Sequence, residues 1–264
     1  MEENKVCCEV VEHVGWITMQ CGKNRNAIDE GMADVLLQAL SDFEDDVSVR
    51  VIVLSSADKA FSSGGDVRFF YSQLEGTGTI DLSALLEKVG KLSLTLRRSK
   101  KLIIAAVNGV AAGAGASLAL SCDFVICSQS ASFIQAFTKV GLVPDAGAGY
   151  FLPRTIGIQR AMEYCALAKP MLAEDAKNFG LVNQVVPDSE LNQSVQELAT
   201  KLAAGPLTAY ANLKRQMYDA CFADYDRYLA ETETVTQLTC AKTLDAGEGV
   251  RAFIEKRKPV FTGK

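Results

Sequence analysis

From Leu102 to Cys122 the chain carries no charged residue, and no other feature limits its fold as much. An apolar run of this length is either a membrane span, which needs about 20 residues, or a buried strand joined to a buried helix. Asn108, Gly109, Gly113 and Gly115 separate the two cases, because they divide the run into a β-rich half and a small-residue half. The reading is a buried strand Leu102–Val107, a glycine-rich turn, and a helix that starts near Gly115 and covers Ala116–Ser121. The chain is therefore expected to be soluble. Arg50–Ser55 is a second, nearly continuous apolar strand, and such strands belong to sheets covered on both faces.

The segments around these two strands alternate. Val6–Val11 and Trp16–Gln20 read as a hairpin joined across His13-Val14-Gly15. Met32, Val35, Leu36, Ala39, Leu40 and Phe43 form one face of a helix over Asp29–Phe43. After the loop Phe61–Asp66 come a helix over Val67–Leu74, a flexible-looking loop Leu74–Ile80, and a helix with Leu82, Leu85, Leu86, Val89, Leu92 and Leu96 inward. A strand around Asp123–Cys127 closes this part. Beyond Ile158 helical patterns dominate, over Gln159–Phe179, Asn192–Ala204, Leu207–Cys221, Tyr225–Cys240 and Gly247–Lys256, with one strand-like interruption at Leu181–Val186. Alternating strands and helices specify an α/β fold with right-handed crossovers. The division expected is a core over residues 1–200 and a helical region over 201–264.

Composition excludes some chemistries. Lys+Arg 27 against Asp+Glu 32 gives a net charge of −5, which argues against nucleic acid or an anionic membrane as partner. The single histidine, His13, rules out a multi-histidine metal site and leaves one imidazole for any histidine-assisted nucleophile. The eight cysteines show no metal-ligand spacing and read as buried, reduced thiols. The charged start Met1-Glu-Glu-Asn-Lys5 is unlike a secretion signal, so a cytoplasmic location is expected.

Two glycine-rich turns each follow a buried strand and precede a helix: Phe61-Ser-Ser-Gly-Gly-Asp66 and Asn108-Gly-Val-Ala-Ala-Gly-Ala-Gly-Ala-Ser117. Such turns let backbone N–H groups approach a ligand, and two of them supplying one N–H each would form an oxyanion hole. The same glycines could serve only close packing of helix on strand. Neither turn matches the dinucleotide-binding G-x-G-x-x-G pattern, and no Walker A sequence is present.

With these turns and Asn24-Arg-Asn-Ala-Ile28, Gly141-Leu-Val-Pro-Asp-Ala-Gly147, Leu152-Pro-Arg154, Ala176-Lys-Asn-Phe-Gly-Leu-Val182 and Glu248-Gly-Val-Arg-Ala-Phe-Ile-Glu-Lys-Arg257, the chain resembles the crotonase (enoyl-CoA hydratase/isomerase) superfamily. Its pattern is most similar to the enoyl-CoA and epoxyphenylacetyl-CoA isomerase branch. The resemblance covers nearly the whole chain. It implies a spiral of repeated ββα units, a helical C-terminal trimerisation region, and a homotrimer or homohexamer. It also implies an acyl-CoA thioester as substrate, with coenzyme A part of that substrate and no separate cofactor or metal. By matching position, the oxyanion hole falls to the N–H groups of Gly65 and Ala114.

The family's hydratases carry two glutamates where this chain has Ser117 and Phe137, so hydration by the usual route lacks its acids. The isomerases' acid falls at Asp145, which could take a proton from one carbon of the acyl chain and return it to another. Asp145 could also, or instead, cap a helix starting near Ala146 or Gly147. Rival readings were a residual hydratase, an aromatic acyl-CoA dehalogenase or hydrolase using Asp145 as nucleophile, a serine hydrolase built on Ser117 and His13, and a non-catalytic acyl-CoA binder. Arg25 and Arg68, with Lys256 and Arg257, are candidates for the nucleotide phosphates. Phe69, with Phe70 and Tyr71 beside it, Phe137 and Leu142 are candidates for the acyl pocket.

Overall fold

A computed structural model describes residues 5–264; the expectation for Met1–Asn4 lies outside the described residues. The main sheet has six strands in the order β1-β2-β3-β4-β6-β9, and a second sheet has three, β5-β7-β8. They are β1 (Val6–Val11), β2 (Val14–Met19), β3 (Val51–Ser56), β4 (Leu102–Val107), β5 (Val110–Ala112), β6 (Phe124–Ser128), β7 (Ser132–Ile134), β8 (Met171–Leu172) and β9 (Gln184–Val186). The hairpin β1–β2 is antiparallel, and every later pair of the main sheet is parallel. After β3 each strand of the main sheet hands the chain on: β4 to β5 and helix α4 (Ala114–Leu120), then β6 to β7. This is the expected spiral of ββα units.

Both faces of the main sheet are covered. Val51, Val53, Ile104, Ala106 and Ile126 point to one side and pack with Leu191, Val195, Ala199 and Leu202 of α8 (Leu191–Ala203). Ile52, Leu54, Ile103, Ala105 and Val107 point to the other, into the large core formed with α1 (Glu30–Asp45), α2 (Val67–Thr77), α3 (Ser83–Arg98) and α4. Each of the Val, Leu and Ile side chains contributes roughly 1.5–3 kcal/mol on burial. The fold is completed by α5 (Ala148–Ile156), α6 (Ile158–Leu167), α7 (Ala173–Asn178), α9 (Leu207–Phe222), α10 (Tyr225–Tyr228), a single π-helical turn (Leu229–Glu233), α11 (Thr234–Ala241) and α12 (Leu244–Glu255). Among the described residues no helix is long and apolar enough to cross a membrane.

Several boundaries differ from the sequence reading. The first hairpin turns on Glu12-His13, both at positive φ, so β2 begins at Val14, two residues early. The strands β5, β7 and β8 were not anticipated, because two or three residues carry no periodicity. The supposed loop Leu74–Ile80 is largely ordered: α2 runs to Thr77, and Leu74 and Ile80 are both buried. The helix expected over Gln159–Phe179 breaks at Ala168, which is left-handed, and restarts as α7. Of the cysteines, all eight are free, but Cys7, Cys8 and Cys221 are exposed rather than buried.

The C-terminal helices fold back on the same chain. Lys214 of α9 is buried, donating to the carbonyls of Leu96 (2.8 Å) and Lys101 (3.2 Å) and to Asp123 Oδ2 (2.7 Å). Farther on, α12 packs against α2 and against the 3-10 turn Ala136–Val140. A Cβ at Gly249 of α12 would sit 2.6 Å from Val140 Cα.

Candidate active site

The two glycine turns lie against each other. Ser62 N–H donates to Val110 O (3.2 Å), and Ala112 N–H donates to Ser62 O (2.9 Å), a short parallel bridge. The backbones come so close that a Cβ on Gly115 would collide with the Ser62 side chain, and one on Gly64 would sit 2.7 Å from Ala112 O. Gly64 also has φ +84°, which suits glycine. Close packing of the two turns therefore requires these glycines. Gly65 ends the first turn just before α2, and Asp66 caps that helix, accepting from the N–H groups of Arg68 (3.0 Å) and Phe69 (3.4 Å). Ala114 opens α4, so its N–H has no acceptor within the helix.

Arg25 is brought to the same place. Its carbonyl accepts from Ser63 N–H (2.9 Å), while its side chain is exposed. What fixes this segment is Asn26, fully buried, whose amide bonds Cys21 N–H (2.7 Å), Ser56 Oγ (2.8 Å) and Phe61 O (3.2 Å). Asn26 is therefore the structural centre of Asn24-Arg-Asn-Ala-Ile28, a role the sequence reading did not assign. Arg68 is exposed and Phe69 is 38% exposed, whereas Phe70 is buried. Phe137 and Leu142 are buried, and the Phe137 ring lies 3.6 Å from where a Cβ on Gly113 would stand. Arg257 is paired with Glu248 and Glu255 on the surface.

Asp145 does not cap a helix, contrary to the alternative left open by the sequence. The N-cap of α5 is Gly147, and only the Asp145 backbone carbonyl bonds into the helix, to Ala148 N–H (3.1 Å). Its carboxyl is buried. Oδ2 accepts from Gln237 Nε2 (3.2 Å), and Oδ1 has no hydrogen-bond partner. Burial without a cation pushes this acid from its usual range up to about 7, and the Gln237 bond only partly offsets that. A carboxyl poised near neutrality, with one free oxygen, is suited to accept and return protons.

Two further residues here were missed by the sequence reading. Gln237 Oε1 accepts from Val143 N–H (2.9 Å), which turns its amide nitrogen toward Asp145. Glu233, also buried, accepts from Gly147 N–H at 3.0 and 3.2 Å. Both come from the region read only as an assembly tail. The signal was present: Tyr225, Leu229, Glu233, Gln237 and Ala241 recur every four residues and are all buried. Two polar residues on an apolar stripe of a helix mark an interior polar site.

The nucleophile readings find no support in this geometry. The His13 Nδ1 pairs with Ser48 O (2.9 Å) on the exposed hairpin, and Trp16 packs on the α8 side of the sheet. Ser117 Oγ donates back to Gly113 O (3.1 Å) within its own helix. A cavity of about 150 Å³ lined by Arg97, Ser117, Asp123 and Phe151 touches neither Asp145 nor the first glycine turn. Among the described residues no three Cys, His, Asp or Glu side chains are grouped to hold a metal ion.

The sequence profile of the enoyl-CoA hydratase/isomerase family matches residues 9–264. The chain is 32% identical to the trans-2-decenoyl-[acyl-carrier-protein] isomerase of Streptococcus mutans, with both chains covered in full. It is 36% identical to the 1,2-epoxyphenylacetyl-CoA isomerase of Escherichia coli, over 98% of each. The crystal structure of an enoyl-CoA hydratase from Mycobacterium avium subsp. paratuberculosis superposes with a TM-score of 0.88 at 29% identity, over 98% of each chain. The chain belongs to the enoyl-CoA hydratase/isomerase family, within the crotonase superfamily.

Proposed function

We propose that this chain is an isomerase of acyl thioesters that moves a carbon–carbon double bond, or rearranges a ring epoxide, with Asp145 as its acid and base. The observation that supports this best is one acid position filled and two emptied. Asp145 is buried with an unbonded oxygen, while Ser117 and Phe137 stand where the family's hydratases place glutamates. Addition of water needs groups to position, deprotonate and reprotonate; an internal proton shift needs one.

In this reading the Asp145 carboxylate removes a proton from C2 of a 3-enoyl thioester. The electron pair passes into the thioester, whose oxygen becomes an enolate held by the N–H groups of Gly65 and Ala114. Asp145 then returns the proton to C4, and the double bond moves into conjugation with no net uptake of water. Phe137 and Leu142 wall the acyl chain, Phe69 lies toward the opening, and Arg25 and Arg68 meet the carrier's phosphates. The carrier is coenzyme A, or an acyl carrier protein, which presents the same pantetheine thioester and is what the S. mutans relative is named for. The helical region 201–264 leaves Leu207, Leu213 and Met217 of α9 exposed, which favours a homotrimer or homohexamer.

The test is incubation of 3-hexenoyl-CoA in D2O with wild type and Asp145→Asn. Wild type should yield the conjugated 2-enoyl product, and Asp145→Asn should be slower by about 10²–10⁴. An unimpaired Asp145→Asn variant, or crotonyl-CoA hydration faster than isomerisation, overturns the reading.

A further inference from the structure

We propose that Glu233 and Gln237 are positioning residues for the proton transfer at Asp145: Gln237 selects which carboxylate oxygen reacts, and Glu233 is the acid partner that keeps the site, substrate included, at a single negative charge. This rests on Asp145 being the acid and base. Gln237 can face Asp145 in one sense only. Val143 N–H is a donor, so the amide oxygen must lie toward it and the amide nitrogen toward Asp145 Oδ2. Oδ1 is left as the oxygen that can exchange a proton.

Glu233 reaches the same turn from the other side. Ala146 and Gly147, directly after Asp145, both have positive φ (51° and 85°). For alanine that conformation costs on the order of 1 kcal/mol and persists only where the surroundings hold it. Glu233 supplies that hold through Gly147 N–H, and a Cβ on Gly147 would collide with the Tyr225 hydroxyl. Glu233 ends the π-helical turn Leu229–Glu233, the one interruption in the helix that runs from Tyr225 to Ala241. Such turns insert a residue and re-aim the side chains around it, frequently at functional sites.

The charges around the pair are few. Asp145 faces Glu233 from the turn before α5, and Tyr225 and Tyr228 face it from α10. Arg97 bears on the Tyr225 hydroxyl, and Arg154 bears on both Tyr150 and Tyr228. Among the described residues neither carboxyl has a lysine or arginine within ion-pair distance. Burial first, and then the Asp145 charge, push Glu233 up to about 9. At neutral pH Glu233 therefore keeps its proton while Asp145 cycles. When Asp145 carries the substrate proton, the enolate carries the charge, and the total stays at one. Ionised Glu233 would add a second negative charge beside the developing enolate and oppose its formation.

The experiment is the pH profile of kcat/KM for 3-hexenoyl-CoA isomerisation by wild type, Glu233→Gln, Glu233→Met and Gln237→Ala, with Asp145→Asn as reference. Wild type should rise through about pH 7 and fall reversibly above pH 9. Glu233→Gln, which keeps an acceptor for Gly147 N–H, should retain the rise and lose the fall. At pH 10 it should exceed wild type about tenfold when each is normalised at pH 7.5. Glu233→Met should lose the same limb. Gln237→Ala removes a bond that favours the carboxylate, so its rising limb should move to higher pH and kcat should fall more than KM changes. An alkaline fall unchanged in both Glu233 variants, or a rising limb unmoved in Gln237→Ala, overturns the inference. An active Asp145→Asn variant instead overturns the reading beneath it.

Discussion

Lys214 and Glu233 both reach from the C-terminal helices into the interior, and both meet an aspartate there. Lys214 finds Asp123 at 2.7 Å and two backbone carbonyls, and Asp123 Oδ2 also accepts from Ile103 N–H (2.8 Å). Every charge is answered. Glu233 and Asp145 are two acids with no cation between them: Glu233 has the Gly147 N–H, and Asp145 has the Gln237 amide on one oxygen and nothing on the other. The first site is what a fold requires of a buried charge. The second is the kind of arrangement found at functional sites, and it supports the proposed role of Asp145. Burial alone does not separate structure from function here; the difference lies in whether the buried group has been satisfied.

The sharpest way to break this comparison is catalytic. Asp145→Asn should reduce isomerisation by about 10²–10⁴ with little loss of fold, whereas Lys214→Ala should leave turnover per folded molecule near wild type. Next in size is the structural cost. Lys214→Ala removes the ion-pair partner of the half-buried Asp123 and should destabilise by up to about 3–5 kcal/mol in denaturant titration. If Lys214→Ala unfolds at the same denaturant concentration as wild type, the contrast fails on its structural side.

The opposite sign is expected at the acid pair. Both carboxyls titrate higher in the folded protein than in the open chain, so between about pH 4 and pH 9 the native state holds more protons. Stability from this source is therefore present at low pH and lost as pH rises through that window. Asp145→Asn combined with Glu233→Gln should gain several kcal/mol over wild type at pH 8.5, and little at pH 4. A double variant whose stability relative to wild type is the same at both pH values would show that the acids are not under strain. Smallest of all, His13→Ala should change activity by less than about twofold, since the imidazole pairs with Ser48 O on the exposed hairpin.

Much of this architecture was legible in the chain. Leu102–Val107 and Arg50–Ser55 announced themselves as doubly covered strands because their side chains are apolar on both faces. The glycine turns were legible because positions such as Gly115 admit no Cβ. Asp145 was visible through the family resemblance, although its surroundings were not: the choice between cap and free acid depends on Gln237, 92 residues away. Glu233 and Gln237 escaped because a helix pattern shows which face is buried without showing what it is buried against. The short strands β5, β7 and β8 escaped because their pairing is set by neighbours in the spiral rather than by their own residues.

The π-helical turn ending at Glu233 has a further consequence, for the order in which the molecule is made. The glycine turns and Asp145 leave the ribosome well before the residues that hold the acid in place. The chain as far as α8 already contains both glycine turns and Asp145, but not Gln237 and Glu233, which hold the Asp145 carboxyl and the turn after it. The surroundings of Asp145 are therefore complete only once the helix from Tyr225 to Ala241 has docked.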